Sequence, residues 1–131
     1  MKPFAFRLKP KQDLKKSIVE FARENNIQAG IILTCVGSLE QINLRFANQK
    51  KGELKKEFFE ILSLTGTFSG SSCHLHISLS NKNGQTIGGH LLDDNLVYTT
   101  AEIVVGELPD LKFSREIDDS YGYLELAITK R

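Results

Sequence analysis

The sequence has no tryptophan, one methionine, two cysteines and three prolines among its 131 residues. Two cysteines, Cys35 and Cys73, make neither a disulfide framework nor a CxxC pair, so the fold has to stand on its core, and a reducing cytoplasm is the expected compartment. The three prolines, Pro3, Pro10 and Pro109, mark no linker. There is also no internal repeat and no low-complexity stretch, so residues 1–131 read as a single domain. No apolar run approaches the ~20 residues of a membrane span, which excludes a spanning helix. The stretch Met1–Lys16 has no sustained apolar segment and no small-residue cleavage site, so neither a secretory signal nor a membrane role is expected. An excess of one charge is missing too. With 17 Lys+Arg against 16 Asp+Glu the net charge is +1, which argues against holding nucleic acid by bulk charge.

What is present is a near-average globular composition, 40% hydrophobic and 25% charged. A chain of this size can bury about two-thirds of its unfolded surface. The charge is unevenly spread. Residues 1–60 carry 12 Lys+Arg against 7 Asp+Glu, a balance of +5, and residues 61–131 carry 5 against 9, a balance of −4. Two solvated faces of different sign explain this without any ligand.

Local patterning predicts one helix in a largely β chain. Phe4, Phe6 and Leu8 alternate with Ala5, Arg7 and Lys9, the period of a half-buried strand over Phe4–Lys9, and Pro10 ends it. Asp13 reads as a helix N-cap. Leu14, Ile18, Phe21 and Ala22 form an apolar stripe at helical spacing, and Asn25-Asn26 can stop it. Strands are then expected at Gly30–Val36, Ile42–Phe46, Phe58–Thr65, Cys73–Ser80, Gln85–Leu92, Leu96–Val105 and Tyr123–Thr129. Asn48–Glu53 reads as a hairpin turn, and Asn83-Gly84 as a two-residue hairpin. The fold class is α+β: a mostly antiparallel sheet of seven or eight strands with one main covering helix, since the connections are too short for helical crossovers. Strands apolar on both faces, such as Gly30–Val36, need cover on two sides, from the helix and from something else such as a second subunit.

All three histidines fall within 17 residues: His74, His76 and His90. On Cys73–Ser80, the residues Cys73, Leu75, Ile77 and Leu79 point to one face, and His74, His76, Ser78 and Ser80 to the other. Counting outward from the Asn83-Gly84 turn sets Ser80 opposite about Thr86 or Ile87 and His76 opposite about His90. Gly88-Gly89 allows a close backbone approach or a bulge that would aim His90. Three imidazoles with an open fourth position are how a catalytic zinc site is built. The competing reading is a plain polar face, with the glycines serving strand curvature. Cys73 points away and belongs to the core.

The run Phe59-Glu60-Ile61-Leu62-Ser63-Leu64-Thr65-Gly66-Thr67-Phe68-Ser69-Gly70, followed by His74-Leu75-His76-Ile77-Ser78-Leu79-Ser80, Gly84 and Gly88-Gly89-His90-Leu91, resembles the plants and prokaryotes conserved (PPC) domain family. Further matches lie along Ala101–Leu108 and at Phe113-Ser114-Arg115-Glu116. The resemblance implies a single α+β domain, an antiparallel sheet with helix cover, assembling as a homotrimer. In plants the domain follows AT-hooks in nuclear DNA-binding proteins. Bacterial and archaeal members are usually the domain alone and often labelled DNA-binding, and some resemble metal proteins at the positions of His74, His76 and His90. The present chain has no Arg-Gly-Arg-Pro hook core, the element that inserts arginine into the minor groove. It also lacks the Gly-Arg that precedes the plant Phe-Glu-Ile-Leu motif.

Two functions from different classes follow. The first is a stand-alone, trimeric DNA-binding or transcription-regulatory module. Its contacts would be Lys11, Lys15 and Lys16 near the helix start and Lys50, Lys51, Lys55 and Lys56 at a loop, multiplied by assembly. The alternative is a zinc-binding protein with a site at His74, His76 and His90, either a metal-dependent enzyme or a binder of small anions. Glu60 or Glu102 would then be acid–base groups. Arg115, set between Phe113 and Ile117, would be an anion clamp, unless it pairs with Asp118 or Asp119. A third possibility is a structural part with no chemistry of its own.

Overall fold

The turn at Pro10 separates the first strand from the helix, and the helix cap then ties that corner to the rest of the chain. The computed structural model describes residues 1–131. Strand β1 (Lys2–Leu8) is followed by α1 (Leu14–Glu24). One carboxylate oxygen of Asp13 accepts from the backbone N–H of Lys16 at 3.0 Å, and the other accepts from Asp94 N at 2.7 Å. The N-cap therefore satisfies an orphan helix donor and also anchors a distant loop. At the other end, Asn25 Nδ2 donates to the Phe21 carbonyl at 2.9 Å, and Asn26 takes the left-handed conformation (φ 53°) that stops the helix. The buried stripe is Leu14, Ile18 and Ala22, and Phe21 stacks on Phe6 with ring centres 4.0 Å apart.

The strands that follow are β2 (Gly30–Arg45), β3 (Glu53–Lys55), β4 (Phe59–Phe68), β5 (Cys73–Ser80), β6 (Thr86–Leu91), β7 (Leu96–Glu107), β8 (Leu111–Ile117) and β9 (Leu124–Lys130). Seven strands form one sheet in the order β1-β7-β2-β4-β5-β6, with β3 on β2, and β8 and β9 form a second, two-stranded sheet. Every pairing is antiparallel. The α+β class is thus observed, a seven-stranded antiparallel sheet with one covering helix, and the separate two-stranded sheet brings the total to nine strands.

Three local differences have physical causes. Gly30–Val36 and Ile42–Phe46 are parts of one 16-residue strand. Its register against β7 shifts at three places, between Ile32 and Thr34, Gly37 and Ser38, and Leu39 and Gln41, and such bulges bend a strand without ending it. The bend carries the end of β2 round to β6, where Leu44 pairs Leu91 and Arg45 pairs His90, closing a ring through β2, β4, β5 and β6. The Asn83-Gly84 turn is a three-residue loop rather than a two-residue one. Gly84 N donates to Asn81 O at 2.9 Å and Asn81 N to Gln85 O at 3.0 Å. Gly84 alone takes the left-handed conformation (φ 77°), and Asn81 Oδ1 accepts from the backbone of Asn83 and Gln85. β8 is not among the expected strands, because in Leu111–Ile117 the charged Arg115 interrupts the apolar set Leu111, Phe113 and Ile117; its anchor is Phe113, buried, whose N–H donates to Gln28 O at 2.9 Å.

The core lies between the inner face of the main sheet and α1, with Leu39, Ile42, Leu44, Leu75, Leu79, Leu91, Val97 and Ile103 almost fully buried. Burying each such side chain contributes about 1.5–3 kcal/mol relative to leaving it in water. Leu75, Ile77 and Leu79 of β5 point into this core, so the alternate residues must face out, and that places the histidines.

Candidate metal centre

β5 and β6 pair in the register His76↔His90, Ser78↔Gly88 and Ser80↔Thr86. His74 and His76 are exposed, and His90 is half-buried beside them. The three rings converge: centroids are 4.9 Å apart for His74 and His76, 5.2 Å for His74 and His90, and 5.6 Å for His76 and His90. One ligating nitrogen from each lies within 4.8 Å of the others. His74 Nε2 and His76 Nε2 are 3.2 Å apart. Two imidazole nitrogens bound to one tetrahedral zinc at ~2.0–2.1 Å would stand roughly 3.3 Å apart, so this pair already matches one edge of such a site. His90 Nδ1 is buried with no hydrogen-bond partner. An orphaned buried nitrogen within a set of three neutral-capable imidazoles is what a borderline-soft divalent ion would satisfy, so the residues fit a metal.

The glycines of β6 set the approach. A Cβ on Gly88 would lie 2.8 Å from the Ile77 carbonyl oxygen, and one on Gly89 3.0 Å from the Arg45 carbonyl oxygen. There is no bulge in β5–β6, so the pair acts by close backbone approach. Beyond His90, the loop into β7 is pinned by the fully buried Asn95. Its Oδ1 accepts from Asn43 N at 2.8 Å, and its Nδ2 donates to Asn43 O at 3.0 Å and Leu92 O at 2.7 Å.

The surroundings are electropositive. Burial, then the Arg45 guanidinium, then the other two histidines and Lys15 push His90 down to about 4. Burial, then His76 and Arg115, lower His74, against the pull of Glu125. Both effects favour the neutral imidazole that a metal requires. An open groove of about 790 Å3 runs from the cluster to the β8–β9 hairpin, lined by His74, His90, Arg45, Lys50, Arg115 and Glu125 among others.

Arg115 is half-buried on β8, with its Nη2 3.5 Å from Thr67 Oγ1, and Thr67 pairs with His74 across β4–β5. Neither Asp118 nor Asp119 pairs with Arg115: Asp118 accepts from Ser120 N at 2.8 Å, and Arg115 is in none of the three ion pairs. Arg45, not singled out from sequence, is the direct cross-strand neighbour of His90. The alternation of Ile42, Leu44 and Phe46 put Arg45 on the polar face, but nothing local announced that β2 would reach β6. Glu60 and Glu102 lie outside the cluster. Glu60 pairs Ser80, four residues from His76 and so roughly 13 Å along the strand, and Glu102 pairs Arg7 and Val36 on the far side of the sheet. Cys73 is half-buried against the core.

The seven lysines divide between the helix start and the β2–β3 hairpin. Lys11 Nζ pairs Glu40 at 2.7 Å and Lys15 Nζ pairs Asp93 at 3.5 Å. Lys15 and Lys16 line a shallow groove with Arg23, Glu20 and Asp93. Lys50 lines the histidine groove, and Lys51, Lys55 and Lys56 are exposed on and around the β2–β3 hairpin.

Known proteins place this arrangement. The profile of the Plants and Prokaryotes Conserved (PCC) domain matches residues 1–109. The bifunctional protein GlmU of a Synechococcus strain is 46% identical over 128 residues, covering 98% of this chain and 20% of its own length. The chain thus spans about a fifth of that relative. The AT-hook motif nuclear-localized protein 2 of Arabidopsis thaliana is 30% identical over 104 residues, 72% of this chain and 31% of the relative. Among solved structures, a hypothetical protein from Salmonella superposes with TM-score 0.97 at 38% identity, covering 99% of this chain and 94% of that one. A candidate DNA-binding protein from Bacteroides thetaiotaomicron gives 0.85 at 26% identity, over 96% and 91%. A metal-containing protein from Archaeoglobus fulgidus gives 0.77 at 29% identity, over 97% and 94%. With a family match across most of its length, the chain belongs to the Plants and Prokaryotes Conserved domain family.

Proposed function

We propose that the chain is a metal-binding PCC domain protein in which His74, His76 and His90 hold one divalent ion, zinc being the ion this donor set suits best. The observation that carries the proposal is the convergence of the three imidazoles, with the 3.2 Å nitrogen–nitrogen edge and the unpartnered His90 nitrogen. The metal-containing description of the Archaeoglobus fulgidus structure supports it. A bound ion would act as a Lewis acid toward an oxygen of a small molecule. Around it, the β5–β6 ladder orients the rings, Arg45 and Arg115 keep the site electropositive, and Glu125 is the one carboxylate lining the groove. The test is the metal content of protein purified without a histidine tag, compared with His76→Ala.

The outer surface supports assembly, for which we propose the homotrimer. Val36, Phe58, Leu62 and Tyr98 are 43–57% exposed, with the Phe58 and Tyr98 rings 4.6 Å apart. A second patch, Ile117, Tyr121, Tyr123, Leu124 and Ile128, lies in the β8–β9 hairpin region. Two unlike patches on one chain are what a cyclic, head-to-tail assembly requires.

A second reading, a DNA-binding or transcription-regulatory module, is favoured by the nuclear AT-hook relative and the candidate DNA-binding neighbour. The pairing of Lys11 with Glu40 and Lys15 with Asp93, and the net charge of only +1, make it the weaker one. It predicts a mobility shift that fades steeply as salt rises. No retardation at low salt removes it.

A further inference from the structure

Two guanidinium groups reach the histidine groove from two different sheets. Arg45 comes from the bent end of β2, beside His90, and Arg115 comes from β8, over Thr67 and next to His74. Both are half-buried. The chain has three ion pairs, Lys11–Glu40, Lys15–Asp93 and Arg131–Glu107, and neither arginine is in one. A half-buried cation without a carboxylate keeps an uncompensated charge, and the long 3.5 Å contact of Arg115 with the neutral Thr67 hydroxyl does not offset it. Lys50 adds a third positive charge to the lining and Glu125 a single negative one, so the groove disfavours cationic ligands. At about 790 Å3 it falls within the range of small-molecule sites.

We propose that this groove binds a small molecule through a carboxylate or phosphate group held between Arg45 and Arg115, beside the three-histidine cluster. The guanidinium fork matches such oxyanions with two parallel N–H···O bonds, which a lysine cannot do. The proposal rests on the metal-centre reading for where the ligand's remaining polar group goes, since the same groove opens onto His74 and His90.

The experiment is calorimetric titration of tag-free, zinc-reconstituted protein with inorganic phosphate and, separately, with malonate. Arg45→Gln, Arg115→Gln and Arg115→Lys are compared with Lys82→Gln at the exposed hairpin tip, and zinc is measured in every sample. The expected result is saturable binding of at least one anion at one per chain. Each Arg→Gln variant should weaken it by about ten-fold or more, the loss of one charge-assisted contact. Arg115→Lys should recover it in part, Lys82→Gln should match the parent, and zinc should be the same throughout. Absent saturable binding of either anion, or binding unchanged in both glutamine variants, overturns the arginine clamp. If zinc is present in those samples, the metal centre survives that result. Arginine-dependent anion binding in protein that takes up no zinc supports the clamp and rejects the metal centre.

Discussion

At the scale of single residues, His90 combines burial, an unpartnered nitrogen and a cationic neighbour. Its folded-state value of about 4 lies below the ordinary 6.5, so between those values the unfolded chain takes up a proton that the folded chain refuses. Stability of the metal-free protein should therefore be independent of this group above about pH 6.5 and fall progressively as pH drops toward 4. His74, lowered in the same direction, adds to the slope. Urea midpoints of chelator-treated protein across this range check the point, and His90→Asn should flatten the profile. A midpoint that rises on acidification would mean that the imidazole is not held neutral. The histidines themselves were legible from spacing alone, because the β5 alternation is forced by Leu75, Ile77 and Leu79 entering the core. Arg45 was not, because its place depends on a pairing between segments 45 residues apart in sequence, Arg45 with His90.

At the scale of elements, the β5–β6 hairpin is the scaffold of the site. Gly88 has no room for a side chain, so Gly88→Val should push β6 away from the Ile77 carbonyl, cost about 1–3 kcal/mol of stability and weaken metal uptake together. Thermal melts and metal titrations of that variant check both; a variant with parental melting and uptake would show that the close approach is dispensable. The predicted register of this hairpin was correct although its turn was misassigned. A three-residue loop with Gly84 in the left-handed conformation returns the chain to the same antiparallel alignment, with Ser80 opposite Thr86. Long-range features were the ones hidden from a reading by local period. The bulges that fuse β2 fall at Ser38-Leu39-Glu40-Gln41, where three polar residues around the buried Leu39 read as a break. The short β3 has all three residues exposed, so it carries no burial alternation at all.

At the scale of the molecule, the near-zero net charge and the split between its halves do not resolve into a basic face. Two of the seven lysines pair with Glu40 and Asp93, Lys16 stays at the helix, and Lys50, Lys51, Lys55 and Lys56 stay at the β2–β3 hairpin. The apolar patches say more. If they meet in a threefold ring, light scattering after size exclusion should give three times the 14.7 kDa of the chain, and Tyr98→Glu should break it down; a monomer at micromolar concentration would contradict the assembly. The central claim, a metal held by three imidazoles, is tested most directly by elemental analysis of protein purified without a histidine tag. The account predicts one divalent ion per chain in the parent and a large loss in His76→Ala, whereas metal well below one per chain and unchanged by that substitution would contradict it.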